Sequence, residues 1–363
     1  MCLYVLHLTG GEYILLLLYV DDILLAASNA TVLNTYVQKI VASFRISSEG
    51  PLDSYLGITV KRDTETGKFH LSMARFMEKV FKRFKLVTKK SIVTPLPENF
   101  QASLEAAETE EEDPRDTIFF EDFQFRQKIG CILYYMICMR PNIMYAVSLL
   151  ARYSNRLSRT ACAGMTQLLQ YCYNTRQEEL VLGGTRAFIT GYCDSDWAGD
   201  RLTRRSTGAY IIYLGSGPVE WASKLQKLPA LSTAEAEYIA MTAPAKSIVW
   251  IRWLLFQTGI EAIRTKLSPT LFSDNTAAIA MSSNPVHHDR TKHIAIKYHF
   301  IRALEEAGVV STEHIDTEAN SADIGTKALG KRKFAPLSDK SMGRVVIDTP
   351  TKRSRTEPSS EFC

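Results

Sequence analysis

The chain has 363 residues, 46% of them hydrophobic and 23% charged, and its 43 Lys and Arg against 39 Asp and Glu leave a formal net charge of +4. This is globular composition with room for about two or three domains, and so small a basic excess allows a nucleic-acid partner without arguing for one. The seven cysteines include no CxxC pair, which argues against a zinc site or a disulfide framework and for reduced thiols in a cytosolic or nuclear protein.

In chain order, MCLYVLHL, TGGE and YILLLLYV predict strand, turn and strand, with Gly10-Gly11 supplying the turn. A third strand, DILLAAS, follows at once. The stretch LLLLYVDDILLAAS, residues 15–28, therefore carries Asp21 and Asp22 at a hairpin tip inside the most apolar run of the chain. Ionised carboxylates in such a setting are costly unless a cation or donors compensate them. The apolar run Tyr13–Val20 is far short of the roughly 20 residues a spanning helix needs, so a membrane anchor at 13–25 fails on length and on the two aspartates. The start lacks a basic n-region and a small-residue cleavage site, so no signal peptide is expected.

Residues 30–46 predict an amphipathic helix, and YLGITVKRDTETGKFHLS a hairpin turning near Thr66-Gly67. Residues 74–87 predict a basic helix in which Lys79, Lys82, Arg83 and Lys85 alternate with Phe76, Phe81 and Phe84. It reads equally as a core helix with a solvated face or as a nucleic-acid contact. The acidic stretch SLEAAETEEEDPRD reads as a loop or linker. Residues 121–176 read as helical, broken at Pro141.

From residue 186 the pattern changes to strands at RAFITGYCDSDW, TGAYIIYLG and PVEWASK. A long helix then opens on Ser232/Thr233 and closes at Gly259. TLFSD is a short strand running into a helix at Asn275, TKHIAIKYHFIRALEEAG a further helix, VVSTEHID a strand, and NSADIGTKAL a final helix. This order predicts a mixed sheet with helices on its faces, an α/β domain. The tail 331–363 is polar and reads as disordered, and its TKRSR is a candidate nuclear-import patch.

Four acids of this domain lie at element ends, Asp194, Glu237, Asp274 and Asp323. Converging there, they suit a two-metal phosphodiester site with cations about 4 Å apart, and hard carboxylate oxygens suit Mg²⁺ or Mn²⁺. Each alone also reads as a cap or surface charge, Asp274 and Asp323 as simple N-caps. Asp196 and Glu235 are rivals two residues from Asp194 and Glu237.

The run GYCDSDWAGDRLTRRSTGAYIIYLG, VEWASKLQ, LSTAEAEYIA, LFSDNTAAI, RTKHIAIKYHFIR and NSADIGTKAL, over about 190–330, resembles the ribonuclease H domain of Ty1/copia-type retrotransposon Pol polyproteins. LLLLYVDDILLAAS, YLGITVKRD, VTPL and IGCILYYMICMRPNIMYAV resemble the reverse transcriptase and connecting region of the same family. The resemblance covers residues 3–330 and implies an α/β (α+β) chain: a partial reverse transcriptase palm and thumb-like region over 1–104, an acidic linker over 105–120, a helical connection over 121–185, a ribonuclease H-like mixed sheet over 186–330 and a basic tail over 331–363.

The resemblance also assigns roles. Asp194, Glu237, Asp274 and Asp323 become the metal-binding catalytic acids that would hydrolyse the RNA strand of an RNA–DNA hybrid, with Arg204, Arg205, Ser206, Lys224, Gln226 and Lys227 as contacts to the nucleic-acid backbone. Tyr19 to Asp22 is similar to the palm turn whose aspartates hold Mg²⁺ in reverse transcriptases. That site also needs an acid from an earlier strand. Only Glu12 precedes Asp21, so the palm is expected to be N-terminally truncated and its site a half-site. Such a palm should leave edge strands and apolar surface open, inviting other polyprotein segments or a second copy. Asn142 stands in RPNI where the family usually has an acid, and the usual histidine before the helix at 163–174 is missing. His287, His288, His293 and His314 mark no catalytic histidine, and Lys292-His293 match a family pair. The other reading is an inert remnant or a domesticated module that binds nucleic acid or protein without cutting. A cytoplasmic, alternatively nuclear, location is expected.

Overall fold

The computed structural model describes residues 2–87, 92–107, 116–184, 188–260, 269–283 and 295–345. Its first sheet is built from β1 (Cys2–His7), β2 (Tyr13–Tyr19) and β3 (Asp22–Ala27), antiparallel and in that spatial order. Helix α1 (Ala30–Ser43) follows, capped by Asn29, whose side chain accepts from the Val32 N–H at 2.9 Å. Tyr19 pairs with Asp22, leaving Val20 and Asp21 as a two-residue turn. Leu3, Tyr4 and Leu6 of the edge strand β1 are exposed.

Val20 has φ of 53°, a left-handed conformation that is strained for a β-branched residue. Val20→Gly is expected to relieve this and stabilise the protein by about 1 kcal/mol, read from the midpoint of thermal unfolding. An unchanged or lower midpoint would mean that the turn carries no strain.

The second sheet runs β4 (Ser54–Tyr55), β5 (Ile58–Arg62), β6 (Phe69–Ser72) and β7 (Leu180–Leu182), all antiparallel. The predicted hairpin is thus extended by a strand from far downstream. Helix α2 (Ala74–Arg83) buries Met77, Val80 and Phe81 and leaves Lys79, Lys82, Arg83 and the following Lys85 exposed, as a core helix with a solvated basic face does.

The acidic linker expected over 105–120 is partly helical. Helix α3 (Phe100–Ala107) ends inside it and α4 (Asp116–Phe123) begins inside it, while residues 108–115 lie outside the described residues. Glu105 is buried because its Oε1 accepts from the Gln101 side chain at 2.9 Å and from the Arg201 N–H at 3.1 Å. Helices α5 (Phe125–Met139), α6 (Met144–Arg152) and α7 (Arg159–Asn174) follow, with a 3-10 turn at Pro141–Ile143 between the first two.

The third sheet holds β8 (Ile189–Asp196), β9 (Thr207–Leu214), β10 (Gly217–Leu225), β11 (Thr270–Ser273) and β12 (Ser311–His314), in the spatial order β10-β9-β8-β11-β12. The β10, β9 and β8 strands are antiparallel, whereas β11 runs parallel to both β8 and β12. This is the mixed sheet of an α/β unit. Helices α8 (Thr233–Gln257), α9 (Thr276–Ser283) and α10 (Ala295–Glu306) belong to the same stretch.

Each face of that sheet is sealed by its own core. Ile189, Cys193, Ile212 and Leu271 pack with Met241 and Ile248 of α8 and Ile301 of α10. Tyr192, Ile211, Tyr213 and Phe272, on the other face, join the core of the α5–α7 helices. The helical connection is therefore one of the layers that bury the sheet. By length and composition alone α8 is long and apolar enough to cross a membrane, yet it lies along β8 and β9 as a core helix.

The tail differs from expectation. Residues 331–341 form a helix, α11 (Lys331–Ser341), rather than disordered chain. Its Phe334 and Leu337, with Met342 just beyond, recur at helical spacing and are buried in the core of the connection helices, which outweighs the polar composition. The TKRSR segment lies outside the described residues.

Candidate metal centre

Strand β8 is central and buried along nearly its whole length, so Asp194 near its end is only 7% exposed. The α8 N-terminus supplies the next acid. Ser232 caps the helix by accepting from the Glu235 N–H at 3.2 Å, and Glu235 Oε2 accepts from the Leu231 N–H at 2.8 Å. Glu235 is spent on the helix end. Glu237, two residues on, faces the sheet instead, and its Oε1 accepts from the Ser195 N–H at 3.1 Å.

Asp274 follows β11, the parallel neighbour of β8. The cap of the next helix is Asn275, whose Oδ1 accepts from the Ala278 N–H at 2.9 Å, which leaves Asp274 free of that duty. Asp194, Glu237 and Asp274 each bring a carboxylate oxygen to within 4.8 Å of the others, and theirs is the cluster of this kind among the described residues.

Asp323 arrives differently from expectation. NSADIGTKAL does not open as an α-helix. It makes a 3-10 turn over Ser321–Gly325. Asn320 caps that turn through the Ala322 N–H at 3.1 Å and donates its Nδ2 to the Cys193 carbonyl at 2.9 Å, tying the turn to β8 beside Asp194. Asp323 is 3% exposed and ion-pairs with the Lys327 ammonium, one turn on. The neighbouring Thr326 hydroxyl donates to Asp194 Oδ2 at 2.5 Å.

Glu237 and Asp194 resist ionisation in this setting. Burial, then the charges of Asp194 and Asp274, push Glu237 up to about 9. Burial also raises Asp194, with Asp323 and Asp274 adding repulsion and the Thr326 hydrogen bond opposing it. Burial alone would lower Lys327, but Asp323, Asp194 and Asp196 outweigh it and hold the amine well protonated. Asp196 is half-buried and raised chiefly by burial. Glu237 Oε2 is buried without a hydrogen-bond partner. Three converging carboxylates, two of them buried, with an orphaned oxygen are the donor set of a hard divalent cation, so the residues fit Mg²⁺ or Mn²⁺.

Thr326→Val is expected to drive the Asp194 carboxyl further up and to cost about 1 kcal/mol of stability, while Thr326→Ser keeps the parent behaviour. Carboxyl-carbon NMR titration reads the first effect, and an unmoved Asp194 resonance would dismiss the hydroxyl as its partner.

Other predicted residues fall elsewhere. Ser206 and Gln226 are not available as backbone contacts. Ser206 is fully buried and accepts from the Ala198 N–H at 3.1 Å. Gln226 is 9% exposed and donates to the Ser195 hydroxyl at 3.2 Å and the Ala236 carbonyl at 2.8 Å, joining β10 to β8 and α8. Arg204, Lys224 and Lys227 are exposed and Arg205 is half-buried. Asp21 and Asp22 are exposed at the hairpin tip, and no third acid joins them in a metal-competent group among the described residues. Glu12 lies at the other end of β2, bonded to Asn29 at 2.8 Å. His287, His288, Lys292 and His293 lie outside the described residues. Asn320, Thr326 and Lys327 belong to the site beyond the expected residues, and the spacing of Asn320, Asp323 and Lys327 within NSADIGTKAL is their signal in the sequence.

Residues 1–98 match the reverse transcriptase (RNA-dependent DNA polymerase) family. The chain is 31% identical over 333 residues to the retrovirus-related Pol polyprotein from transposon TNT 1-94 of Nicotiana tabacum, across 92% of this chain and 24% of the relative. It is 33% identical over 332 residues to that from transposon RE1 of Arabidopsis thaliana, across 91% of this chain and 22% of the relative. Among solved structures, LC11-RNase H1 isolated from compost aligns with a TM-score of 0.30 and 16% identity, covering 38% of this chain and 91% of that one.

The class is thus a reverse transcriptase-type segment over residues 1–98, followed further along the chain by a five-stranded mixed sheet. The chain belongs to the copia-type retrotransposon Pol family. It spans about a quarter of the length of these relatives, 24% and 22%.

Proposed function

We propose that the C-terminal α/β unit hydrolyses the RNA strand of RNA–DNA hybrids at the site built by Asp194, Glu237, Asp274 and Asp323. The observation that carries this reading is the meeting of Asp194, Glu237 and Asp274 from three separate elements, with carboxylate oxygens within 4.8 Å. Mg²⁺ or Mn²⁺ held by these acids would supply an activated water and offset charge on the phosphate. The chain's own residues hold the arrangement. The Ser195 N–H and the Thr326 hydroxyl orient Glu237 and Asp194. Arg204, Arg205, Lys224 and Lys227 offer positive charge on the β9–β10 side for a hybrid backbone, which would be recognised by shape and 2′-hydroxyls rather than by base sequence.

We do not extend the proposal to DNA synthesis, because Asp21 and Asp22 have no third carboxylate beside them among the described residues. A non-cutting, hybrid-binding module is the competing reading. Labelled RNA–DNA hybrid, duplex RNA and duplex DNA offered to the protein in Mg²⁺, beside Asp274→Asn, separate the two. Cutting confined to the hybrid and lost in Asp274→Asn is expected. Hybrid binding without cutting by a folded parent would overturn the proposal in favour of the binding module.

A further inference from the structure

The four acids are not equivalent. Three of them share one space, whereas Asp323 stands apart from that cluster with Lys327 on its Oδ1. The Asp323 side chain is 4% exposed and that of Lys327 44%, so the carboxylate looks inward while the ammonium closes it from the solvent side. Asp194 and Asp196 are the further anions near this ammonium. A solvated surface pair contributes little, but here one partner is buried and the charges of two more carboxylates favour the cation. With 44% of its side chain exposed and no place in either core, Lys327 can swing its ammonium outward.

We propose that Lys327 is a tethered cation that occupies the Asp323 side of the metal centre and has to be displaced before a second divalent ion binds there. This rests on the reading that Asp194, Glu237 and Asp274 take a divalent ion. The first ion then meets three carboxylates that Lys327 acts on only through space, at Asp194 and Glu237, its ion pair being with Asp323. The second meets a carboxylate that is already neutralised. The centre fills in two unequal steps, and Lys327 sets the gap between them.

Mn²⁺ titration of the full chain at constant ionic strength tests this, with free Mn²⁺ followed by electron paramagnetic resonance and heats by calorimetry. The parent is expected to show one tight and one weaker step. Lys327→Met is expected to tighten the weaker step about tenfold, since it removes a full positive charge a few ångström away. Lys327→Arg keeps the parent curve. Melting curves show that the variants are folded, and Lys327→Gln replaces the Met variant if that one is not. Superimposable parent and Lys327→Met curves, with Mn²⁺ taken up by both, would overturn the inference alone. No uptake by the folded parent would overturn the metal reading, and the inference with it.

Discussion

Glu237→Gln is expected to make the metal-free protein more stable near pH 8, by on the order of 3 kcal/mol, while abolishing the high-affinity binding of divalent cations. The native state keeps a proton on Glu237 up to about 9, against an ordinary value of 4.5. The unfolded chain releases that proton above 4.5, so the native state binds more protons between 4.5 and about 9 and stability falls as pH rises through that window. Gln is a neutral isostere and removes the slope. Thermal melts in chelator should show the two proteins alike near pH 4.5 and diverging upward, with the variant melting roughly 5 °C or more higher near pH 8. Added Mg²⁺ reverses the order, because it binds the ionised parent and releases the proton. Equal slopes for parent and variant in chelator would refute the account of Glu237.

Arg140→Met is expected to be the most damaging single change outside the site, costing about 3–5 kcal/mol. Arg140 is fully buried, and every N–H of its guanidinium has a partner. Nε donates to Asn142 Oδ1 at 3.0 Å, Nη1 to the Tyr135 hydroxyl at 3.0 Å and the Thr175 carbonyl at 3.1 Å. Nη2 donates to Thr175 Oγ1 at 2.9 Å and Glu178 Oε2 at 3.3 Å. Removing the guanidinium takes away the donors to the buried Tyr135 and Asn142 and to the half-buried Thr175, while Glu178 keeps Arg344 at 2.8 Å. Asn142 serves Arg140 as acceptor while its Nδ2 donates to Ser338 Oγ at 2.8 Å. Asn142→Asp gives the buried cation a second charge partner beside Glu178 and is expected to change stability by less than about 1 kcal/mol, because the gain in pairing is offset by carboxylate burial. Denaturant unfolding of both variants checks the pair of expectations. An Arg140→Met variant as stable as the parent would show that the network contributes nothing net.

Legibility in the sequence followed the range of the interaction. The β2–β3 hairpin was visible because apolar runs flank the two aspartates, and the acids stood out because each lies beside a strand end or a cap. The choice between Glu235 and Glu237 needed the structure, since Ser232 captures the first and leaves the second to face β8. Asp274 and Asp323 resembled caps until Asn275 and Asn320 were seen to do that work. Nonlocal pairings left no local trace. The β6–β7 ladder joins distant segments, and Gln226 and Ser206 look like surface polar residues until neighbouring strands and α8 close over them. Helix α11 was hidden by its polar composition, which masks the spaced Phe334 and Leu337.

The ends of the cut strand test most directly whether the Asp194 cluster hydrolyses RNA within a hybrid by attack of water on phosphorus. An RNA–DNA hybrid would be incubated with the parent and with Asp194→Asn in Mg²⁺, and the termini of the RNA fragments identified. Water attack with departure of the 3′ oxygen predicts 5′-phosphate and 3′-hydroxyl ends from the parent and intact RNA with the variant. Ends bearing 2′,3′-cyclic phosphate, or equal cutting by Asp194→Asn, would contradict the account.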